Sequence, residues 1–114
     1  MTLVGARGGA PVPPAYQVYV VELDRSLCSK LGCYSRNGKA PVYVGQSAQS
    51  PEARFRQHKA GYKSSRYVRT YGVGLMPKLA RECRRLPTRS AALQAEHRLA
   101  EKLRRMGYCV FGGH

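Results

Sequence analysis

Two short segments in the first half of the chain alternate β-branched residues with tyrosines. Residues 16–23 and 42–45 both show this period of two, which is typical of β-strands that turn one side to a core. In such strands Tyr19 and Tyr43 lie on the side opposite to the valines. If the strands pair as an antiparallel hairpin, both phenols come to one face of the sheet, although the sequence leaves the register open. The valines of the other face are Val18, Val20, Val42 and Val44.

A helix is predicted to follow the second strand. Gly45 ends that strand, and Ser50-Pro51 supplies a hydroxyl that can cap free N–H groups and a proline whose fixed φ suits the first helical turn. On this helix Arg54 and His58 are four residues apart, so their side chains point the same way. The pattern therefore predicts a phenol at the end of a strand, close to a guanidinium and an imidazole on the next helix.

Cations and tyrosines are interleaved in the segment 61–72, which follows this helix. The pattern fits two alternatives equally well. The segment forms a nucleic-acid surface, with cations for phosphates and rings between them, or a short helix with Tyr67, Val68 and Tyr71 packed inward. The candidate nucleic-acid-binding residues in and beside it are Lys59, Lys63, Arg66 and Arg69.

Three other segments carry weaker patterns. Residues 24–40 are predicted to form a long loop with a positive edge. Residues 73–76 predict a third strand, although a glycine interrupts them. Residues 78–86 predict a basic helix that ends at Pro87.

The clearest helix of the chain is predicted to run from Ser90 to Met106, with Gly107 as its left-handed end. Glu96 lies inside the apolar stripe of this helix. A carboxylate in that place is costly unless it pairs with a cation or binds a metal ion. An ion pair is the commoner explanation, and metal binding is the alternative. The predicted stripe consists of Leu93, Leu99, Ala100, Leu103 and Met106.

Charge and length narrow the class of protein. The 114 residues are predicted to form one domain over residues 16–114, with residues 1–15 as a flexible N-terminal arm rich in Gly, Pro and Ala. A net charge of +14 favours a polyanionic partner, most commonly nucleic acid. Charge alone favours a passive basic protein without chemistry, because such binders are common. No apolar run is long enough to span a membrane or to act as a signal peptide, so an intracellular location (cytoplasm, nucleoid or nucleus) is expected.

The four cysteines allow several interpretations. A zinc site built from Cys28, Cys33, Cys83 and Cys109 is disfavoured, because only the first two are close in sequence. Disulfides are not expected in an intracellular chain. The preferred prediction is reduced thiols, with Cys83 and Cys109 helping to fill the core.

Taken together, these elements resemble the GIY-YIG domain, a small nuclease module. The similarity extends over roughly residues 16–113, and it depends on several elements in the same order as in that family. The matching elements are Gln17-Val18-Tyr19 for the GIY motif, Tyr43-Val44-Gly45 for the YIG motif, Arg54 and His58 on the first long helix, Glu96 on the last, and Gly107-Tyr108 after it.

The resemblance implies an α+β fold, with a three-stranded antiparallel sheet flanked by helices, and a DNA endonuclease that hydrolyses phosphodiester bonds. Glu96 would hold Mg²⁺ or Mn²⁺, which prefer oxygen ligands. Arg54 would clamp the scissile phosphate. Tyr19, or else Tyr43, would activate the attacking water, and His58 would shuttle a proton or orient a phenol.

A second hypothesis comes from a different functional class. The chain would be a GIY-YIG-like module that binds nucleic acid without cleaving it. In either case a protein partner or a second copy of the chain is a candidate source of specificity, because modules of this family often owe theirs to a second domain. DNA is preferred to RNA only through the resemblance.

Overall fold

The sheet has four strands and a mixed topology. The computed structural model describes residues 15–33, 35–36 and 38–113. Apart from Ala15, the arm predicted for residues 1–15 lies outside this part of the chain. The strands are β1 (Gln17–Leu23), β2 (Val42–Ser47), β3 (Gly72–Leu75) and β4 (Val110–Gly112). Their order is β3-β1-β2-β4; β1 is antiparallel to both β2 and β3, and β4 is parallel to β2.

The fold is therefore α+β, but the prediction of three antiparallel strands is wrong. The additional strand, β4, has three residues, which are too few for an alternating pattern to be visible in the sequence. It pairs with β2 over Val42–Val44 only. The preceding long helix returns the chain alongside β2 in the parallel sense, which is the usual way that parallel strands are connected.

The helices are α1 (Ser26–Leu31), α2 (Pro51–Ala60), α3 (Arg66–Tyr71) and α4 (Arg89–Arg105), with a 3₁₀ turn at Pro77–Ala80. Helix α1 interrupts the segment 24–40, which was predicted to be a loop. It forms because it buries Leu27 and Cys28, and the Asp24 carboxylate accepts the Ser26 N–H at 2.8 Å. The burial of Leu27 depends on contacts with distant segments of the chain, so the six-residue helix has no clear sequence pattern.

The basic helix predicted for residues 78–86 is also wrong. After the 3₁₀ turn the chain uses its main-chain groups to bind the edge of β1 instead. The Val18 N–H donates to the Cys83 carbonyl at 3.0 Å, and Tyr16 and Leu86 exchange two main-chain hydrogen bonds of 2.8 Å. The carbonyls that accept these hydrogen bonds from β1 are not available to accept the hydrogen bonds of a helix.

Helix α4 covers one face of the sheet and agrees closely with its prediction. The Thr88 hydroxyl caps it by accepting the Ala91 N–H at 3.0 Å, and Gly107 follows with a φ of +101°. Leu93 and Met106, however, are exposed, because the inward stripe runs on a different line along the helix. This inward stripe consists of Ala92, Glu96, Leu99, Ala100 and Leu103.

No helix within the described residues is long and apolar enough to cross a membrane.

The two faces of the sheet have different cores. The valine face is formed by Val18, Val20, Val42 and Val44, and α4 and the 3₁₀ turn cover it with Ala80, Leu99, Ala100 and Leu103. The tyrosine face is formed by Tyr19, Val21, Leu23 and Tyr43. It is covered by Leu27 of α1, Phe55 of α2 and Val68 of α3. Adjacent positions of each strand therefore contribute to different cores.

A disulfide joins Cys33, after α1, to Cys109, before β4. The prediction that these cysteines are reduced is therefore wrong. Their Cα atoms lie 6.0 Å apart although 76 residues separate them in sequence, so their spacing could not reveal the pair. The bridge also uses two of the four thiols that the zinc hypothesis required. Cys28 and Cys83 are free, and Cys83 packs against the valine-face core as predicted.

Candidate active site

The register of β1 and β2 brings the two phenols onto the tyrosine face. Tyr19 lies opposite Gly45, and Tyr43 lies opposite Val21. Directly opposed residues of an antiparallel pair share a face, so both rings lie on one side with centroids 6.5 Å apart. A Cβ atom at Gly45 would lie 2.6 Å from Tyr19 Oη and 3.0 Å from Tyr43 Cε2. Glycine at this position therefore leaves the room that both rings occupy.

Helix α2 brings His58 against Tyr19. The Ser50 hydroxyl caps the helix by accepting the Ala53 N–H at 3.1 Å, as its sequence predicted. Two turns further on, His58 is only 1% exposed, and its Nε2 lies 2.8 Å from Tyr19 Oη. Its Nδ1 accepts the main-chain N–H of Ser65 at 2.9 Å. A nitrogen that accepts a hydrogen bond carries no proton, so we assign the proton of the neutral ring to Nε2, which donates to Tyr19 Oη.

His58 is neutral in the folded chain. Burial, and then the charge of Arg54, lower the pKa of His58 from its ordinary value of 6.5 to about 4. Protonation would also place a hydrogen on Nδ1, where the Ser65 N–H already points. Of the two roles predicted for His58, the geometry favours the orientation of a phenol over the shuttling of a proton.

Arg54 is anchored by the loop that follows α2. Its guanidinium donates to the carbonyls of Lys63 at 2.6 Å and Tyr62 at 3.3 Å, and to the side-chain oxygen of Gln57 at 3.2 Å. These bonds restrict the guanidinium while its charge acts on the neighbouring phenols. Arg54 and His58 therefore lie together beside the tyrosine face.

Burial raises the pKa of Tyr19 and is the largest influence on it. The neighbouring Tyr43 raises that pKa further, Arg54 lowers it, and Glu96 raises it more weakly. Burial also raises the pKa of Tyr43, followed by Glu96, whereas Arg54 lowers it. Arg54 thus changes the pKa of Tyr19 more than Glu96 does, whereas Glu96 changes the pKa of Tyr43 more than Arg54 does. Because the charges of Arg54 and Glu96 act on both phenols, the four groups form one electrostatic cluster.

Glu96 faces inward from α4 and is 4% exposed, as the sequence predicted. The chain after β4 packs next to it: a Cβ atom at Gly113 would lie 3.8 Å from the Glu96 carbonyl oxygen. Within the described residues, no group of three or more His, Cys, Asp or Glu side chains is arranged to hold a metal ion. A carboxylate nevertheless suits Mg²⁺ or Mn²⁺, which often bind one protein carboxylate and complete their shell with waters and phosphate oxygens.

The four candidate nucleic-acid-binding residues are all exposed. Lys59 also has a structural contact, because its ammonium donates to the carbonyls of Arg69 and Gly72 at 3.1 and 3.0 Å and so ties α2 to the end of α3. Lys63 lies over the ring of Tyr62 at 5.8 Å, and the Arg66 guanidinium lies over the ring of Tyr67 at 5.3 Å.

The short-helix alternative for residues 61–72 is confirmed for α3. Val68 is fully buried, and Tyr67 and Tyr71 pack against the core of the tyrosine face. The cations nevertheless remain on the surface of the same segment. A contact with nucleic acid there would therefore use charges more than exposed rings.

No protein-family model, curated protein or solved structure matches this chain.

Two contributors to the site were not predicted. Ser65 donates its main-chain N–H to His58, and its hydroxyl caps α3 and lowers the pKa of Tyr43 through a hydrogen bond. The main-chain contact has no side-chain pattern that could indicate it in the sequence. Gly112 has a φ of +74°, and a Cβ atom there would lie 2.9 Å from Tyr43 Cε1. The sequence signal for this contact was the pair Gly112-Gly113 directly after Val110-Phe111, because glycine in a strand often marks a close approach of the backbone to another group.

Proposed function

We propose that this chain is a divalent-metal-dependent endonuclease of the GIY-YIG type that hydrolyses phosphodiester bonds in DNA. The observation that carries the proposal is the hydrogen bond from His58 to Tyr19, in a cluster where Arg54 and Glu96 act on both phenols. The net charge of +14 supports a polyanionic substrate.

Tyr19 would serve as the base that takes a proton from the attacking water. To do so it must itself be deprotonated, which burial, Tyr43 and Glu96 oppose because they raise its pKa. The Nε2–H of His58 and the charge of Arg54 both favour the phenolate. Arg54 would also contact a phosphate oxygen, because its planar fork suits that group. A divalent cation at Glu96 would supply Lewis-acid polarisation of the phosphate and offset the charge of the carboxylate.

The test uses the purified chain with labelled flapped, gapped and branched DNA, with Mg²⁺ or Mn²⁺, and with EDTA as the metal-free control. Glu96→Gln and Arg54→Ala should each lower metal-dependent cleavage by about 10²–10³-fold. Glu101→Gln, on the exposed side of α4, and Arg56→Ala, on the exposed side of α2, are matched controls that should cleave normally. Equal cleavage by the site variants and their controls would refute the site.

A second candidate function is a binding module without catalysis. The raised pKa of Tyr19 favours it, because a neutral phenol does not accept a proton from water. This alternative predicts salt-sensitive DNA binding that EDTA leaves unchanged. It also predicts that no substrate is cleaved with either metal ion. Cleavage of a single substrate would exclude it.

A further inference from the structure

A cavity of about 210 Å³ opens at the edge of β1, beside Tyr19. It lies between two segments that bind this edge of β1: β3 pairs with β1 over Val21–Leu23, and residues 83–86 bond the main chain of Tyr16 and Val18. Its volume is below the roughly 300–1,000 Å³ of pockets that bury drug-sized ligands. The cavity therefore suits a single ring system.

The walls combine apolar surface with a few polar groups. Pro51, Leu75 and Pro77 provide apolar contacts that suit the faces of a planar ring. The polar residues that line it are Gln17, Ser50, Glu52 and Arg84. An amide and a carboxylate can bond the edge of a nucleobase, and a guanidinium can bond a phosphate.

The cavity shares two elements with the candidate active site. Tyr19 lines the cavity and also receives the hydrogen bond of His58. Helix α2 begins at Pro51 in the cavity wall and carries Arg54 three residues later, a rise of about 4.5 Å along the helix axis. A nucleotide held in the cavity would thus be a close neighbour of the phosphate that Arg54 contacts.

We propose that this cavity binds one unpaired nucleotide of the substrate strand, next to the phosphodiester that is cleaved. The inference rests on the proposed nuclease function and names its substrate class: strands with an unpaired nucleotide at the cut, such as flaps, gaps and single-stranded ends. A paired base would first have to leave the stack, at a cost of about a few kcal/mol, which an unpaired base avoids.

The test measures DNA binding by fluorescence anisotropy in EDTA, so that the result does not depend on cleavage. The probes are a nicked duplex, the same duplex with one unpaired nucleotide at the nick, and a third duplex in which that nucleotide is abasic. The unpaired nucleotide should increase affinity about tenfold, or about 1.4 kcal/mol, and the abasic version should lose the gain.

Glu52→Trp fills the cavity and at the same time removes a negative charge. Removal of the negative charge alone should strengthen binding to DNA. A loss of the tenfold preference for the unpaired nucleotide would therefore show that the tryptophan fills the cavity. Glu52→Gln is the matched control and should keep the preference. Arg84→Ala should weaken the preference more than Arg81→Ala, which removes an exposed arginine that does not line the cavity. Circular dichroism checks that each variant is folded.

The outcomes separate this inference from the proposed function. Cleavage without any preference for the unpaired nucleotide, or a preference that Glu52→Trp retains, would overturn the inference and leave the nuclease in place. The expected preference without cleavage of any substrate would support the cavity and overturn the nuclease. A chain that binds none of the probes would overturn both.

Discussion

The two faces of the sheet are built from alternate residues of the same strands, yet they differ in chemistry. On the valine face the strand side chains are aliphatic and almost completely buried, with 2% exposure or less. On the tyrosine face two phenols lie against an imidazole that is held by two hydrogen bonds. The period of two therefore lets one strand bury aliphatic side chains with one set of positions and place the phenols of the proposed active site with the other.

Glu96 is the exception to this division. It belongs to α4, which covers the valine face, but its charge raises the pKa of both phenols on the tyrosine face. The acid that we propose for metal binding thus comes from the structural side of the molecule.

The largest expected effect is on the tyrosine face. Tyr19→Phe keeps the ring and removes the hydroxyl, so we expect cleavage to fall by about 10²–10⁴-fold, the usual contribution of a general base. DNA affinity should change little. Single-turnover cleavage at saturating enzyme measures the effect, and Tyr62→Phe, at a ring that is 58% exposed, is the control. Undiminished cleavage by Tyr19→Phe would remove the functional distinction between the faces.

On the valine face we expect a change in stability only. Leu103 is 1% exposed, and Leu103→Ala should lower the free energy of unfolding by about 2–5 kcal/mol through the cavity that it leaves. Leu93→Ala, at a side chain 39% exposed on the same helix, should cost far less. Urea unfolding measures both. Cleavage per folded molecule should stay constant, and a selective loss of cleavage in Leu103→Ala would show that the faces are coupled.

The imidazole gives the tyrosine face its own pH dependence. Because the pKa of His58 is about 4 when folded and near 6.5 when unfolded, the unfolded chain binds more protons between these values. The free energy of unfolding should therefore fall as the pH drops from 6.5 towards 4, by up to about 3 kcal/mol from this group. Urea titrations at several pH values should show a shallower dependence for His58→Gln than for the parent. Parallel curves for the two proteins would contradict the assignment.

The smallest effect should come from Gly45→Ala. The new Cβ atom would press on both phenols, and we expect a loss of about 1–3 kcal/mol in the free energy of unfolding together with weaker cleavage. Gly74→Ala is the matched control in β3, where a Cβ atom would meet nothing within 4 Å. It should be neutral or stabilising by about 0.4–1 kcal/mol. Urea unfolding shows whether each variant is less or more stable than the parent. Equal free energies of unfolding for Gly45→Ala and Gly74→Ala would mean that the rings have room to move.

The sequence was informative where local chemistry decides the structure. Alternation in β1 and β2 predicted which side of each strand carries the phenols, and Ser50-Pro51 predicted the start of α2. The inward position of Glu96 followed from helical periodicity.

The remaining features depend on contacts between distant segments. Strand β4 is defined by its pairing with β2, and the Cys33–Cys109 bridge by the approach of two segments 76 residues apart. The segment 78–86 has helical composition, but its main chain bonds the edge of β1. No local pattern contains this information.

The hydrogen bond between Ser65 and His58 has a consequence for how the site tolerates variation. The donor is a peptide N–H at the start of α3, where the Ser65 hydroxyl caps the helix by accepting the Tyr67 N–H, so the Ser65 side chain acts on the imidazole only through the position of the backbone. Proline alone would take that donor away and free the ring to carry its proton on either nitrogen. The nitrogen that carries the proton of the buried imidazole is thus determined by the course of the backbone between α2 and α3.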